Sequence, residues 1–208
     1  MKLSTRELAT LAVFGALWGL VEISLGSVLK TLNIPMSGMV LSAIGLVIAL
    51  TGRVFVPRRG STLFIGVIAM LLKLFSLGGV ILGPMVGIFT EALVAEIVLS
   101  LTGKPRRGSL ALAGALGVAW VLVQPFITNP LLFGRTLFTV WLDLLDRGEQ
   151  LLGLPPSSAL WIILGFLLIY LAVGVAAGLL AWSIAHLLQK RLGHPDPSIT
   201  HPKSQGEE

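Results

Sequence analysis

The sequence predicts an all-α fold: a polytopic membrane bundle of six transmembrane helices, with N and C termini cytoplasmic and an extracellular interfacial helix between helices 5 and 6. Three observations predict it. First, 55% of the 208 residues are hydrophobic and only 12% are charged, with a mean hydropathy of +0.92, where a soluble domain carries about 25% charged residues. Second, the apolar runs approach the length that a bilayer demands, about 20 residues for a hydrocarbon core of about 30 Å. Third, the basic residues gather in alternate loops, which is the signature of membrane topology.

Taken in order, helix 1 is predicted over residues 8–29, behind a short polar start that does not resemble a signal peptide, so it is read as a retained span. Helix 2 follows at residues 36–50, after Asn33 and Pro35 break the first run, and helix 3 covers residues 62–77, after Pro57 and Gly60. Helix 4 begins at Pro84 and extends over residues 84–101. Helix 5 spans residues 109–128, and helix 6 is the long apolar stretch at residues 159–188. Between the last two, Phe138, Trp141, Leu142 and Leu145 recur at helical spacing beside Asp143, Asp146 and Arg147, which predicts an amphipathic helix lying at the interface. A seventh span there would carry Lys190 and Arg191 to the outside. Residues 1–192 thus form one transmembrane domain, and residues 193–208, with three prolines, are expected to be a disordered cytoplasmic tail.

Charge fixes the sides. Lys2, Arg6, Arg53, Arg58, Arg59, Lys104, Arg106, Arg107, Lys190, Arg191 and Lys203 fall on one side, eleven of the fifteen Lys and Arg, whereas Lys30, Lys73, Arg135 and Arg147 lie on or toward the other. The positive-inside rule places the basic side in the cytoplasm of a cell membrane, bacterial or archaeal. The formal charge of +5 is therefore a topology signal, not a nucleic-acid footprint. The absence of cysteine excludes disulfides and thiolate chemistry.

Ionisable residues at bilayer depth cost about 2.5 kcal/mol or more and mark a pathway, a pair or a site. Glu22 on helix 1, Lys73 on helix 3 and Glu91 on helix 4 fall at a similar depth, roughly 10 Å below the outer face. Gln124 on helix 5 is slightly shallower, Trp120 one turn deeper, and Asn129 stands at the rim. This layer predicts a small outward-facing pocket with apolar walls and a few placed polar groups. Two readings stay open: at least one of Glu22, Lys73 and Glu91 contacts a ligand, or Lys73 and Glu91 neutralise each other, with Glu22 protonated. Glu96 lies about 140° around the helix from Glu91 and belongs to the inner half, hydrogen-bonded within the bundle or near the cytoplasmic interface. Trp18, Trp161 and Trp182 suit packing or interfacial anchoring. Trp141 suits anchoring too, with a lid over the pocket as the alternative.

Small residues on helix 1 place Ala12 with Ala16 and Gly15 with Gly19 at four-residue spacing, a smooth stripe for close helix contact, with Gly174 and Gly178 offering another on helix 6. The Ala12-Val13-Phe14-Gly15-Ala16 segment and the outer loop Thr31-Leu32-Asn33-Ile34-Pro35-Met36-Ser37-Gly38, in a six-helix chain of this size, resemble the substrate-binding S components of energy-coupling factor (ECF) type ABC transporters. The resemblance implies a membrane-embedded subunit that binds a vitamin, a precursor or another small polar molecule near the extracellular side and works with a transmembrane coupling subunit and two ATPase subunits. It implies Ala12, Ala16, Gly15 and Gly19 as the docking surface, and Glu22, Lys73, Glu91, Trp120, Gln124 and Asn33 as substrate contacts. The chain has no Walker A loop of its own. Nickel and cobalt members use an N-terminal histidine, but Lys2 follows Met1 here, and His186, His194 and His201 lie at the cytoplasmic end. A metal substrate is therefore not expected, nor a cofactor.

Three other classes stand beside this one. A self-contained secondary transporter or channel would use the same buried charges for ions or protons. An intramembrane enzyme would need a catalytic constellation at one depth, and no paired-glutamate, histidine-glutamate zinc or clustered-aspartate motif is seen. A scaffold would keep the charges for structure alone.

Overall fold

The computed structural model describes residues 3–32, 34–76 and 82–193, the side chain of Lys30 excepted. The candidate Asn33 and residues 194–208 of the expected tail lie outside the described residues. The described chain is helical: α1 (Thr5–Thr31), α2 (Ser37–Phe55), α3 (Ser61–Leu72), α4 (Leu82–Thr102), α5 (Arg107–Phe133), α6 (Leu137–Leu152) and α7 (Ala159–Arg191), with 3-10 turns at Lys73–Phe75 and Pro156–Ser158. Five of these, α1, α2, α4, α5 and α7, are long and apolar enough to cross a membrane, whereas Ser61–Phe75 is shorter. Their outer surfaces are apolar as well: α7 alone exposes Leu160, Trp161, Leu164, Leu168, Val175, Leu180 and Leu187. A surface of that kind is unstable in water and at home in hydrocarbon. The chain is a multi-pass membrane protein.

Local chemistry sets the helix ends. Ser4 and Glu7 form a reciprocal cap at the start of α1: the Glu7 N–H donates to Ser4 Oγ at 3.3 Å and the Ser4 N–H to Glu7 Oε2 at 2.8 Å. Glu7 also pairs with Arg58 Nε at 2.6 Å, holding the start of α1 against the α2–α3 loop. At the start of α6, Thr136 Oγ1 accepts from the Thr139 N–H at 3.2 Å. Gly134 and Gly153, with φ of 62° and 65°, end α5 and α6 in the left-handed conformation that favours glycine.

Most helices run further than the sequence predicts; helix 3, expected over residues 62–77, is the exception, its α-helix ending at Leu72 and giving way to the 3-10 turn at Lys73–Phe75. Helix 5 is predicted to stop at Thr128, yet α5 continues through both Pro125 and Pro130 to Phe133. Proline is tolerated in such helices where neighbouring groups satisfy the freed backbone. Helix 2 is predicted to stop at Leu50, with Arg53 in a basic loop. In the structure α2 reaches Phe55, and Arg53 is 1% exposed.

Two clusters make the core. One gathers Leu11, Trp18, Ile65, Ala69, Ile88 and Ala92 from α1, α3 and α4, together with Ala49 of α2. The other joins Leu46, Leu50, Leu99, Leu110, Val118, Ile162 and Phe166 from α2, α4, α5 and α7. The most extensive helix contact is between α5 and α7. There, a Cβ at Gly114 would strike the Gly174 carbonyl and one at Gly178 the Leu110 carbonyl, so the two backbones approach without intervening side chains. Trp18, expected to pack or anchor, is wholly buried between the backbones of Gly45 and Gly66.

Candidate functional site

One end of the bundle holds a cavity of about 1140 Å³. It lies where α1, α3 and α5 end and where α2, α4 and α7 begin, and α6 supplies a further wall through Asp143, Leu144 and Arg147. The short α3 helps create it. Twelve α-helical residues and three 3-10 residues span only about 24 Å, and Lys73, in that final 3-10 turn, faces the space beyond.

The polar layer predicted from sequence is assembled in part. Glu22, Lys73, Glu91, Gln124 and Asn129 all line the cavity. Lys73 Nζ donates to the Glu22 carbonyl at 2.6 Å and lies 3.3 Å from Glu22 Oε2, so the lysine pairs with helix 1. The pairing of Lys73 with Glu91 left open above is therefore not the one formed. Gly26 makes room for it, since a Cβ there would come within 3.2 Å of Lys73 Nζ. Both partners are buried, and such a pair offsets its desolvation only through close contact and added hydrogen bonds. Gln124 reaches from α5 to α4, its Nε2 donating to the Gly83 carbonyl at 3.1 Å.

Trp120 is not brought into this group. Its indole N–H donates to Thr90 Oγ1 at 2.8 Å, and it is not among the residues lining the cavity. Its position one turn deeper than Gln124 gives the right helix face and the wrong depth. Trp141 packs half-buried against the second core cluster and is not among the residues lining the cavity.

Several lining residues were not singled out from sequence. Ser42 of α2 is 2% exposed, and its hydroxyl has no hydrogen-bond partner among the described residues. Phe166 and Tyr170, buried on α7, add an aromatic wall. Tyr170 is the single tyrosine of the chain. Its place in the middle of a long apolar helix was a signal available to reading by depth, whereas a serine in an apolar helix carries none.

Glu96 sits apart from this cavity, as its helical angle predicts. Its carboxylate accepts from the Gly60 N–H at 2.7 Å, the Thr62 N–H at 3.0 Å and Ser100 Oγ at 2.7 Å, and Arg53 Nη1 lies 3.4 Å away. A carboxylate of α4 therefore caps the N-terminus of α3, where helix amides need acceptors. Arg53 was counted as a loop charge and is instead the buried counter-ion of that cap.

On α1 the small-residue stripe divides. Gly15 and Gly19 face α3: a Cβ at either would come within 2.7 Å of Ile68 or Leu72. That corrects their assignment to a partner-docking surface, because α3 already occupies them. Ala12 is exposed and Ala16 half-buried, beside exposed Val13, Leu17 and Leu20.

Comparison with protein-family models, with curated proteins and with solved structures finds no match to this chain.

Proposed function

We propose that the chain is the substrate-binding S component of an ECF-type transporter. In this reading it crosses the membrane six times, α3 being the short span, with both termini and the basic loops in the cytoplasm. It takes up a small polar molecule, such as a vitamin or precursor, from the extracellular side. The observation that carries the reading is the one-ended cavity, with buried polar groups from four helices at its floor and amphipathic α6 along one wall. A volume of about 1140 Å³ suits a small organic solute, since ligand pockets commonly measure about 300–1000 Å³. Energy would come from a coupling subunit and two ATPases. The face with exposed Ala12 and half-buried Ala16, six to ten residues before Glu22 on α1, offers that coupling subunit a flat approach well away from the cavity.

Reconstitution tests it. Co-expression with a coupling subunit and its ATPases should recover a four-protein complex, and Ala12→Trp or Ala16→Trp should abolish assembly and uptake while leaving the thermal unfolding of the isolated chain unchanged. If Ala16→Trp leaves both assembly and uptake intact, or if the purified chain transports by itself in liposomes, the proposal fails. The second outcome would favour a self-contained secondary transporter.

A further inference from the structure

The reading of the cavity as a solute site can be taken one step further, to the charge of the solute, and the step rests on that reading. Three ionisable side chains in the cavity wall are deeply buried: Glu22 is 5% exposed, Lys73 8% and Glu91 6%. Two are carboxylates and one is an ammonium. Lys73 is engaged by Glu22 through both the 2.6 Å bond to its carbonyl and the 3.3 Å contact with its carboxylate, so these two charges cancel. Glu91 remains, and it has no ion-pair partner among the described residues. Ser42 and Glu22 line the same cavity beside it. Ser42 Oγ in turn forms no well-aligned hydrogen bond among the described residues.

A buried carboxyl group without a counter-ion avoids the cost of charge by keeping its proton, and a cation brought by a ligand makes the ionised form favourable again. At this buried level an anionic solute would meet the reverse situation, because the ammonium there is already engaged by Glu22 and the cation of the α6 wall, Arg147, is exposed rather than buried. We infer that the cavity selects an organic cation, an ammonium or amidinium carried on an apolar or aromatic body, with Glu91 as its charge partner and Ser42 beside it. Phe166 and Tyr170 on α7 supply aromatic surface for the body of such a molecule and polarisable faces for its cationic head.

Benzylammonium is the simplest probe that joins the two features, with benzyl alcohol and benzoate as neutral and anionic matches. Binding to the isolated full chain in lipid nanodiscs, followed by calorimetry and by thermal unfolding, should be at least tenfold tighter for benzylammonium than for either match. Glu91→Gln should weaken benzylammonium binding roughly 10- to 100-fold, the worth of a hydrogen bond to a charged group, and leave benzyl alcohol unaffected. Glu91→Asp keeps the charge and should keep the preference for the cation, which decides the matter should Glu91→Gln not fold. Equal binding of the alcohol or benzoate, absence of saturable binding by benzylammonium, or a cation preference that survives Glu91→Gln would each overturn the inference. None of these outcomes depends on partner subunits. A failure here leaves the transporter-subunit proposal standing, and failure of complex assembly leaves this one standing.

Discussion

Four buried acidic or basic side chains, Glu22, Lys73, Arg53 and Glu96, are held in two pairs that do different jobs, and their environments say which. Glu96 is saturated by backbone amides and a serine hydroxyl and has no capacity left for a ligand. Glu22 and Lys73 lie in a cavity wall and bind each other across α1 and the end of α3. Removing one member of a buried pair strands the other charge, at a cost of about 3–5 kcal/mol. Lys73→Met should therefore destabilise the protein by about that amount, and adding Glu22→Gln to it should recover most of the loss. Reversible unfolding in mild detergent checks this: a double variant no more stable than Lys73→Met alone would show that the pair is not what holds the two helices. The sequence placed these residues at one depth but could not pair them. Depth follows from counting along each helix, whereas pairing depends on which helix faces which.

At the scale of helices, packing is decided by backbone contact. The interface of α5 with α7 is built on Gly114, Gly174 and Gly178, where a side chain would collide with main-chain atoms that cannot yield. Gly178→Leu should destabilise the bundle by about 1–3 kcal/mol, the usual cost of overpacking, and lower its thermal midpoint. Gly108→Ala on the partner helix α5, where nothing lies within 4 Å of the added Cβ, should leave the midpoint unchanged or slightly raised. Equal effects from the two would mean that helix propensity, not contact, governs this interface. The four-residue spacing of small residues was legible in both α1 and α7. Their partners were not: Gly15 and Gly19 serve α3, while Ala12 stays exposed and Ala16 half-buried.

For the whole molecule, the central feature is a difference between its ends. The cavity occupies one, while the start of α1, the α2–α3 loop and the end of α7 meet at the other, where Arg6 and Glu7 approach Phe55, Leu188 and Leu192. Because the chain contains no cysteine, single-cysteine variants report sidedness directly. Glu149→Cys on α6 should react with a membrane-impermeant maleimide on intact cells, and Lys104→Cys should react only after the membrane is opened. The reverse pattern would invert the topology and, with it, the direction in which the cavity faces.

The sequence by itself determined the membrane class, the order of the apolar helices, the amphipathic α6 and the common level along the bundle of Glu22, Lys73, Glu91 and Gln124, which line one cavity. Hydropathy and helical rise act along the chain, so these features are written locally. The tertiary structure decided that Lys73 meets Glu22, that Arg53 leaves its loop to support the Glu96 cap, and that Trp120 turns to Thr90. It also closed α3 over Gly15 and Gly19. Each of these depends on the rotation and neighbour of a helix, and hydrocarbon surroundings leave little trace of either in composition, since lipid-facing and buried positions are both apolar.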